Sequence, residues 1–445
     1  MVATSAVHAI KTAAELGFAE VYASAHAGLP GGKQAKAARA SAFDSFLTNG
    51  LPTARTEAWK YTDLRRLIRD AKPLAPPPGA AERARARSAG ALFAALTVRR
   101  LLVIDGVFVP ELSDLENLEP GLGIRSSGTA LQGDEPILGH GLGAIVPRDE
   151  TALALNTALA ADGVAITIAP GAALARPIHL VFVATSAKPE AIYTRSLVVV
   201  GRGARATLLE THEGPARPDY QVNTALQLVV GEDADVEHVK VIREGRHALH
   251  LGTLLANLGA RARFSQFNFV TGGAVVRNQI FAHISGAAAV AGLRGVCLIA
   301  DHSHVDTTLA IDHAEPGGES RELFKSVLDG EARSVFQGKI AVRRKAQKTD
   351  AKMMARALLL SEKAEADCKP ELEIFADDVQ CGHGSTTGTL DDQLKFYLMA
   401  RGIPPKEAES LLIQAFAGEA IDFIQHEGVR ETLMSATQDW LSGRA

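Results

Sequence analysis

A chain of 445 residues, 47% of them apolar, is too long for one ordinary compact domain unless the fold is elongated, so its core must be laid out in several layers or along a solenoid. A formal charge of -4, with a single short basic run (VRRKAQK, 342–348), excludes phosphate neutralisation as the main task of the surface, and no nucleic-acid partner is expected. Three cysteines, Cys297, Cys368 and Cys381, make no disulfide framework; no run of ~18 apolar residues could span a membrane, and the first twenty residues lack the basic start and apolar run of a secretory signal, so a reducing cytoplasm is expected.

Residues 1–95 read as a helical region with a connector. Val7, Ile10 and Ala14 recur at helical spacing, and ARASAFDSFLTNGLP adds a second amphipathic segment closed by Asn-Gly and Pro. RTEAWKYTDLRRL (55–67) reads as an amphipathic segment with an aromatic anchor at Trp59 and salt-bridging neighbours. GLPGGKQ (28–34) lacks the glycine spacing and hydroxyl of a phosphate loop, so any ATP use must come from another chain. KPLAPPPG (72–79) cannot continue a helix and predicts a stiff connector.

Residues 96–385 predict the core. RRLLVIDGVFVP (99–110) is two short β-type runs around Asp-Gly, a hairpin signal. Beyond about 145, alternating β-type runs follow one another, and Gly171, Gly201, Gly231, Gly259 and Gly286 recur every 27 to 30 residues, four of them as Gly-x-x-Ala. A repeat of strand, glycine turn and strand with no helix between is what a β-solenoid needs, whereas a β-sandwich has no reason for so regular an interval. The fold class is therefore mainly β.

Residues 386–445 return to helix. Asp391 and Asp392 suit a helix N-terminus; Leu394, Tyr397 and Leu398 make one apolar face; and Ala408, Leu412, Phe416, Ala420 and Phe423 make a second stripe. The expectation is a helical unit stacked on the solenoid's last coil.

Two strings carry candidate chemistry. In DHSHVDTTLAIDH (301–313), His302, His304 and Asp306 would share one strand face and resemble an H-x-H-x-D metal-hydrolase signature, although Thr307 stands where a further histidine would be wanted; the plain alternative is a hydrogen-bonded polar face. In VQCGHGSTTG (379–388), Cys381 and His383 emerge on one face about 6 to 7 Å apart along an extended segment, which suits two ligands of one multi-atom centre better than a nucleophile with its base. A buried cysteine beside a satisfied histidine is the third reading.

Three strings together resemble the SufB/SufD family of iron–sulfur assembly proteins: RTEAWKYTDLRRL; IDHAEPGGESRELFKSVLDGEARSVFQGKIAVRRKAQKTDA (311–351); and SEKAEADCKPELEIFADDVQCGHGSTTGTLDDQLKFYLMARGI (361–403). In Cys381, His383, Gly384 and Thr386 the resemblance is to the SufD-like side of the family. The resemblance implies a right-handed parallel β-helix flanked by helical domains, and a non-catalytic scaffold that pairs with a SufB-like paralogue and docks a SufC-like ATPase, with homodimerisation in isolation as a further option. It implies His383, with Cys381 second, at an interface where iron or a nascent cluster resides transiently, with no permanently bound cofactor. It also implies an ATPase dock over 388–423 that includes Gly388, Leu394, Tyr397, Arg401, Gly402 and Phe416. The rival reading is a metal-dependent hydrolase using His302, His304 and Asp306.

Overall fold

A strand whose inward side chains are all apolar can bury them only if another coil lies above and below, and the chain supplies those coils in series. The computed structural model describes residues 11–133, 138, 146–147 and 150–444, and the elements named here lie within them. The strands are β1 (Arg99–Ile104), β2 (Val107–Phe108), β3 (Leu122–Ser126), β4 (Val164–Ile168), β5 (Ile178–Val183), β6 (Ala191–Val200), β7 (Arg205–Glu213), β8 (Gln221–Val230), β9 (Asp235–Arg243) and β10 (Leu249–Leu258). They continue with β11 (Arg263–Val270), β12 (Val275–Ile284), β13 (Val290–Ile299), β14 (His304–His313), β15 (Glu319–Leu328), β16 (Arg333–Val342), β17 (Asp350–Leu359), β18 (Glu365–Ile374) and β19 (Gln380–Gly388). The helices are α1 (Ala13–Ala25), α2 (Lys33–Asn49), α3 (Leu64–Leu67), α4 (Ala80–Arg85), α5 (Ser127–Gln132), α6 (Thr151–Leu159), α7 (Asp392–Met399), α8 (Pro405–Ile421) and α9 (Glu427–Ser442).

From β4 onward the strands alternate between two sheets, even-numbered strands in one and odd-numbered in the other, and every pairing among them is parallel. The sixteen strands β4 to β19 thus make eight two-strand coils of a β-solenoid, the architecture expected. Register is continuous: Leu226, Leu254, Ile280 and Leu309 stand in one column, all buried. Each such side chain withdrawn from water contributes about 1.5–3 kcal/mol. The predicted hairpin is β1–β2, turning through Asp105 (φ 47°) and Gly106 (φ 88°). The Pro-rich connector runs along the even sheet, with Ala75 N–H donating to Ala191 O at 2.9 Å.

The glycine period has a specific cause. Gly201, Gly231, Gly259 and Gly286 begin the turns from the even to the odd sheet, and each N–H donates to the coil before it: to Ile168, Val200, Val230 and Leu258, at 2.8 to 3.1 Å. Turn lies on turn so closely that a Cβ at Gly286 would stand 1.9 Å from Ala260 N. The left-handed position comes two residues later, at Gly203, Asp233, Arg261 and Ala288 (φ 53° to 65°), and the alanine of each Gly-x-x-Ala, Ala204, Ala234, Ala262 and Ala289, is buried inside. Gly171 departs from the predicted series. It has φ 72° with open space around its Cβ, so it matches Gly203 rather than Gly201 and the first interval mixes two turn positions.

Helices cover both outer faces. Phe18, Phe43, Phe46 and Trp59 pack with α6 residues on Tyr193, Leu249 and Leu251 of the even sheet. The C-terminal helices do not stack on the last coil as expected; they lie along the odd sheet, with Ile413, Ala417, Ile421 and Leu433 against Val239, Phe269, Val296 and Val327. The buried stripe of α8 is Ala408, Ile413, Ala417, Ala420 and Ile421, because the alanines let the helix approach the sheet, while Gly418 faces Met434 of α9, Leu412 and Phe416 flank the stripe half-buried and Phe423 is exposed. Leu394 and Tyr397 of α7 are likewise exposed rather than packed. Val7 and Ile10 lie outside the described residues. No described helix is long and apolar enough to cross a membrane.

Gly286→Ala is expected to lower unfolding stability by about 1–3 kcal/mol through overpacking, and Gly171→Ala by about 1 kcal/mol through backbone strain alone. Urea denaturation of the two variants checks the ranking, and equal costs would contradict the turn-on-turn contact.

Candidate functional site

The chain's last coil ends in an open edge. β19 pairs only with β17, and β18 only with β16. Cys381 and His383 stand in register with Ala351 and Met353, which are buried in the solenoid interior, so both belong to the inward row of β19. With no further coil above them, Cys381 is half-buried on the end of the core and His383 is exposed. Cys368 takes the matching place on the other sheet: it is in register with buried Phe336 and packs on the same core. Two thiols and an imidazole thus line the mouth of the solenoid, one thiol from each sheet. They do not form a close trio, since among the described residues the only trio with ligand atoms within 4.8 Å of one another lies elsewhere.

Cys368 was not singled out from the sequence. The signal was available in principle, because a ten-residue strand in register with PheGlnGly (336–338) places Cys368 inward, but that register is fixed only once the coils are paired.

The edge is polar and charged along much of its length, as exposed edges must be. β18 carries Glu365, Asp367, Lys369, Glu371 and Glu373, and Pro370 is tolerated because no ladder continues beyond it. Ile374 and Phe375, exposed at its end, are the apolar exceptions.

A cleft of about 760 Å³ runs from the mouth along the odd sheet toward α8, and its wall is rich in cations. Arg321 pairs with Asp350 at 2.6 Å, Arg356 with Glu419 at 3.1 Å, and the Arg294 guanidinium lies 4.0 Å over the Phe423 ring. Glu322, also in the wall, is buried, and neither carboxyl oxygen has a hydrogen-bond partner in good geometry. Burial pushes its carboxyl up to about 8, against the pull of Ser320, Arg321 and Arg294. Burial also raises the Cys381 thiol, with Asp350 and Glu322 adding to the effect. Cys381 therefore rests as a thiol and needs a cation beside it to become a thiolate ligand.

The hydrolase string resolves differently. His302 sits in the turn before β14, largely exposed and 3.3 Å from Glu331, so it does not share a strand face with the other two. Asp306 is fully buried and ion-paired to Arg277, and it accepts from Thr62 Oγ1 at 2.5 Å. His304 Nε2 then donates to Thr62 Oγ1 at 2.9 Å. The three residues make no metal cluster, because Asp306 and His304 are spent on the segment 55–67. That segment is the partner that the sequence string could not reveal. The Arg277 guanidinium lies 3.8 Å over Trp59 and donates to Ala58 O at 2.6 Å, while Lys369 reaches Glu57 at 2.7 Å. RTEAWKYTDLRRL is thus a clasp binding the N-terminal helices to β12, β14 and β18.

At the other end of the candidate site, α7 presents Leu394, Phe396, Tyr397 and Met399 to solvent. Asp391 caps it, accepting from Gln393 and Leu394 N–H at 2.8 and 3.1 Å. Arg401 covers the Tyr397 ring at 3.8 Å, Gly402 (φ 88°) ends the turn after α7, and Gly388, the last residue of β19, has open space around it. Phe416 is half-buried under the Lys325 ammonium, 4.3 Å from its ring centre, and holds α8 to β15.

Comparison with known proteins gives a consistent set of relatives. Residues 182–416 match the family described as SUF system FeS cluster assembly, SufBD core domain, and residues 14–180 match the SufBD protein N-terminal region. The chain is 31% identical over 410 residues to the iron–sulfur cluster assembly protein SufD of Escherichia coli, covering 90% of this chain and 91% of that one. It is 32% identical over 336 residues to an iron–sulfur cluster assembly SufBD family protein of Synechocystis, 73% of this chain and 74% of the relative. It is 28% identical over 291 residues to SufD of Bacillus subtilis, 64% and 65% of the two chains.

Asp306→Ala leaves Arg277 buried without its counter-charge and is expected to cost about 3–5 kcal/mol of stability, whereas His302→Ala should change it by less than about 0.5 kcal/mol; thermal or urea unfolding reads both. Glu322 gives a pH test. Its folded-state carboxyl is raised above the ordinary 4.5, so the folded chain holds this proton longer, and stability falls as pH rises from 4.5 to about 8. The slope from this group is about 1.4 kcal/mol per pH unit, and Glu322→Gln should remove that much of the measured decline.

Proposed function

The chain belongs to the SufBD family of SUF-system iron–sulfur cluster assembly proteins, and on that premise we propose that it is a non-catalytic scaffold subunit that completes a cluster-forming interface rather than building one alone. The observation that carries this reading is the unfinished coil. Cys381, Cys368 and His383 face a mouth that a further coil would close, and a neighbouring sheet edge is the natural occupant of two free edges of ten and nine residues. A SufB-like paralogue is the partner that family membership favours, and a second copy of this chain can use the same edge when the paralogue is lacking.

His383 is the principal contributor at this interface and Cys381 the second. An exposed imidazole is a serviceable ligand for incoming iron, which here is cargo rather than a resident cofactor. Cys381, held as a thiol by burial and two carboxyl neighbours, joins only once the cation is present. Among the described residues no close trio of donors stands at the mouth to hold a cluster, so the rest of the coordination sphere comes from the partner.

The exposed apolar face of α7 is the proposed dock for a SufC-like ATPase, with Gly388, Leu394, Tyr397, Arg401 and Gly402 in or beside it and Phe416 anchoring α8 behind. Four large exposed apolar side chains on one eight-residue helix are costly unless covered. Since Lys395 ties α7 to Glu409 of α8 at 3.1 Å, and α8 lies on the odd sheet, force applied at the dock reaches β13 and β15 directly. A cytoplasmic location fits cysteines left as free thiols.

A tagged chain, co-expressed with candidate partners, should retain a SufB-like paralogue and an ATPase bearing a phosphate loop. In that assembly His383→Ala should lower cluster formation by about tenfold or more with unfolding of the subunit unchanged. Unaltered cluster yield would remove His383 from the site.

A further inference from the structure

Away from the mouth, six polar side chains are shut inside the solenoid where β7, β9 and β10 meet: Glu210, His212, His238, Lys240, Glu244 and His250, none more than 7% exposed. Strand alternation turns Glu210 and His212 inward from β7 and His238 and Lys240 inward from β9, while Glu244 and His250 flank the corner loop between β9 and β10. Leu208, Leu226 and Leu254 of the apolar core lie on these same coils.

A group this polar survives burial only if each member is satisfied by another. Glu210 accepts from His212 Nε2 at 2.6 Å and from His238 Nε2 at 3.0 Å, with Lys240 Nζ at 3.6 Å. That bond fixes His212 with its proton on Nε2 and a lone pair on Nδ1. His250 has Lys240 Nζ 3.1 Å from Nε2 and Glu244 Oε2 3.0 Å from Nδ1, and its ring stands edge-on to His212 with centres 4.7 Å apart. His212, Glu244 and His250 each offer a ligand atom within 4.8 Å of the other two.

We propose that His212, Glu244 and His250 form a binding site for one divalent transition-metal ion of the Zn²⁺ or Fe²⁺ class, independent of the cluster chemistry at the mouth. Two imidazoles and a carboxylate are a borderline donor set suited to these ions. Glu244 Oε2 and His250 Nδ1 share a 3.0 Å hydrogen bond, and opening it to ~3.4 Å would give the spacing of two ligands each at ~2.1 Å from one tetrahedral ion. The Glu210 carboxylate holds His212 as second-layer carboxylates hold metal-ligating histidines, while His250 accepts from the Lys240 ammonium at Nε2 and donates from Nδ1 to Glu244, so an arriving cation displaces that Nδ1 proton. Entry is short, since Glu244 belongs to the corner loop and its neighbours Arg243 and Arg246 are exposed.

The full-length chain, stripped of metal and refolded anaerobically with Zn²⁺, Co²⁺ or Fe²⁺, tests this by metal analysis, Co²⁺ absorption and unfolding temperature. The expected result is one tightly held equivalent and a chelator-sensitive rise in unfolding temperature. His383→Ala should leave both unchanged, while Glu244→Gln and His250→Ala should each weaken Co²⁺ binding about 100-fold. If those variants do not fold, the wild-type chain decides alone: stoichiometric metal with nitrogen–oxygen Co²⁺ bands supports the site, and a folded chain that retains none overturns it. Retention undiminished in folded Glu244→Gln and His250→Ala also overturns it, and loss on His383→Ala would place the metal at the mouth instead.

Discussion

A parallel strand in a solenoid satisfies its backbone and its inward side chains only against the strand one coil away, and every other feature of this chain follows from that dependence. Within the stack the ladder closes on itself, from Leu226 through Leu254 and Ile280 to Leu309. At the end it cannot. β18 and β19 keep one side of their ladders unpaired, and the residues of their inward rows are left half in and half out of the core. The mouth residues Cys368, Cys381 and His383 are thus exposed by topology, not by any local polarity of the sequence.

The helices complete the same logic by leaving that end free. Because α8 and α9 lie along the odd sheet and α1, α2 and α6 along the even one, both broad faces are covered and the last coil is not. The covering is secured by specific polar contacts. Arg277, buried between Trp59 and Asp306, clasps the amino-terminal segment, and Glu237, accepting from Gln425 and His426 N–H at 2.6 and 3.2 Å, seats the start of α9. A histidine and an aspartate in the clasp look like metal ligands in sequence because burial beside a cation and ligation of a metal call for the same residue types.

Much of the architecture was legible from one-dimensional pattern. The glycine interval announced the coil length because one coil's turn rests on the next, so the same steric demand recurs at the even-to-odd turns after β6, β8, β10 and β12. Asp105-Gly106 announced the hairpin, and the proline connector announced extended chain. The failures have equally local reasons. The stripe through Leu412 and Phe416 was displaced by about one residue because small side chains, Ala417 and Ala420, won the close approach to the sheet. Gly171 was counted with Gly201 because a glycine required for φ and a glycine required for space are the same letter.

The sequence by itself determined the mainly β solenoid, its helical flanks and the extended strand that sets Cys381 and His383 on one face, because periodicity and turn chemistry are local and survive in one dimension. Only the tertiary structure decided where the helices lie, that Cys368 shares the mouth, that Asp306 is committed to Arg277 and Thr62, and that His212, Glu244 and His250 meet. Those facts depend on which coil lies over which and on contacts between residues far apart in the chain, such as Thr62 with Asp306, 244 residues on, and no local pattern encodes such a meeting.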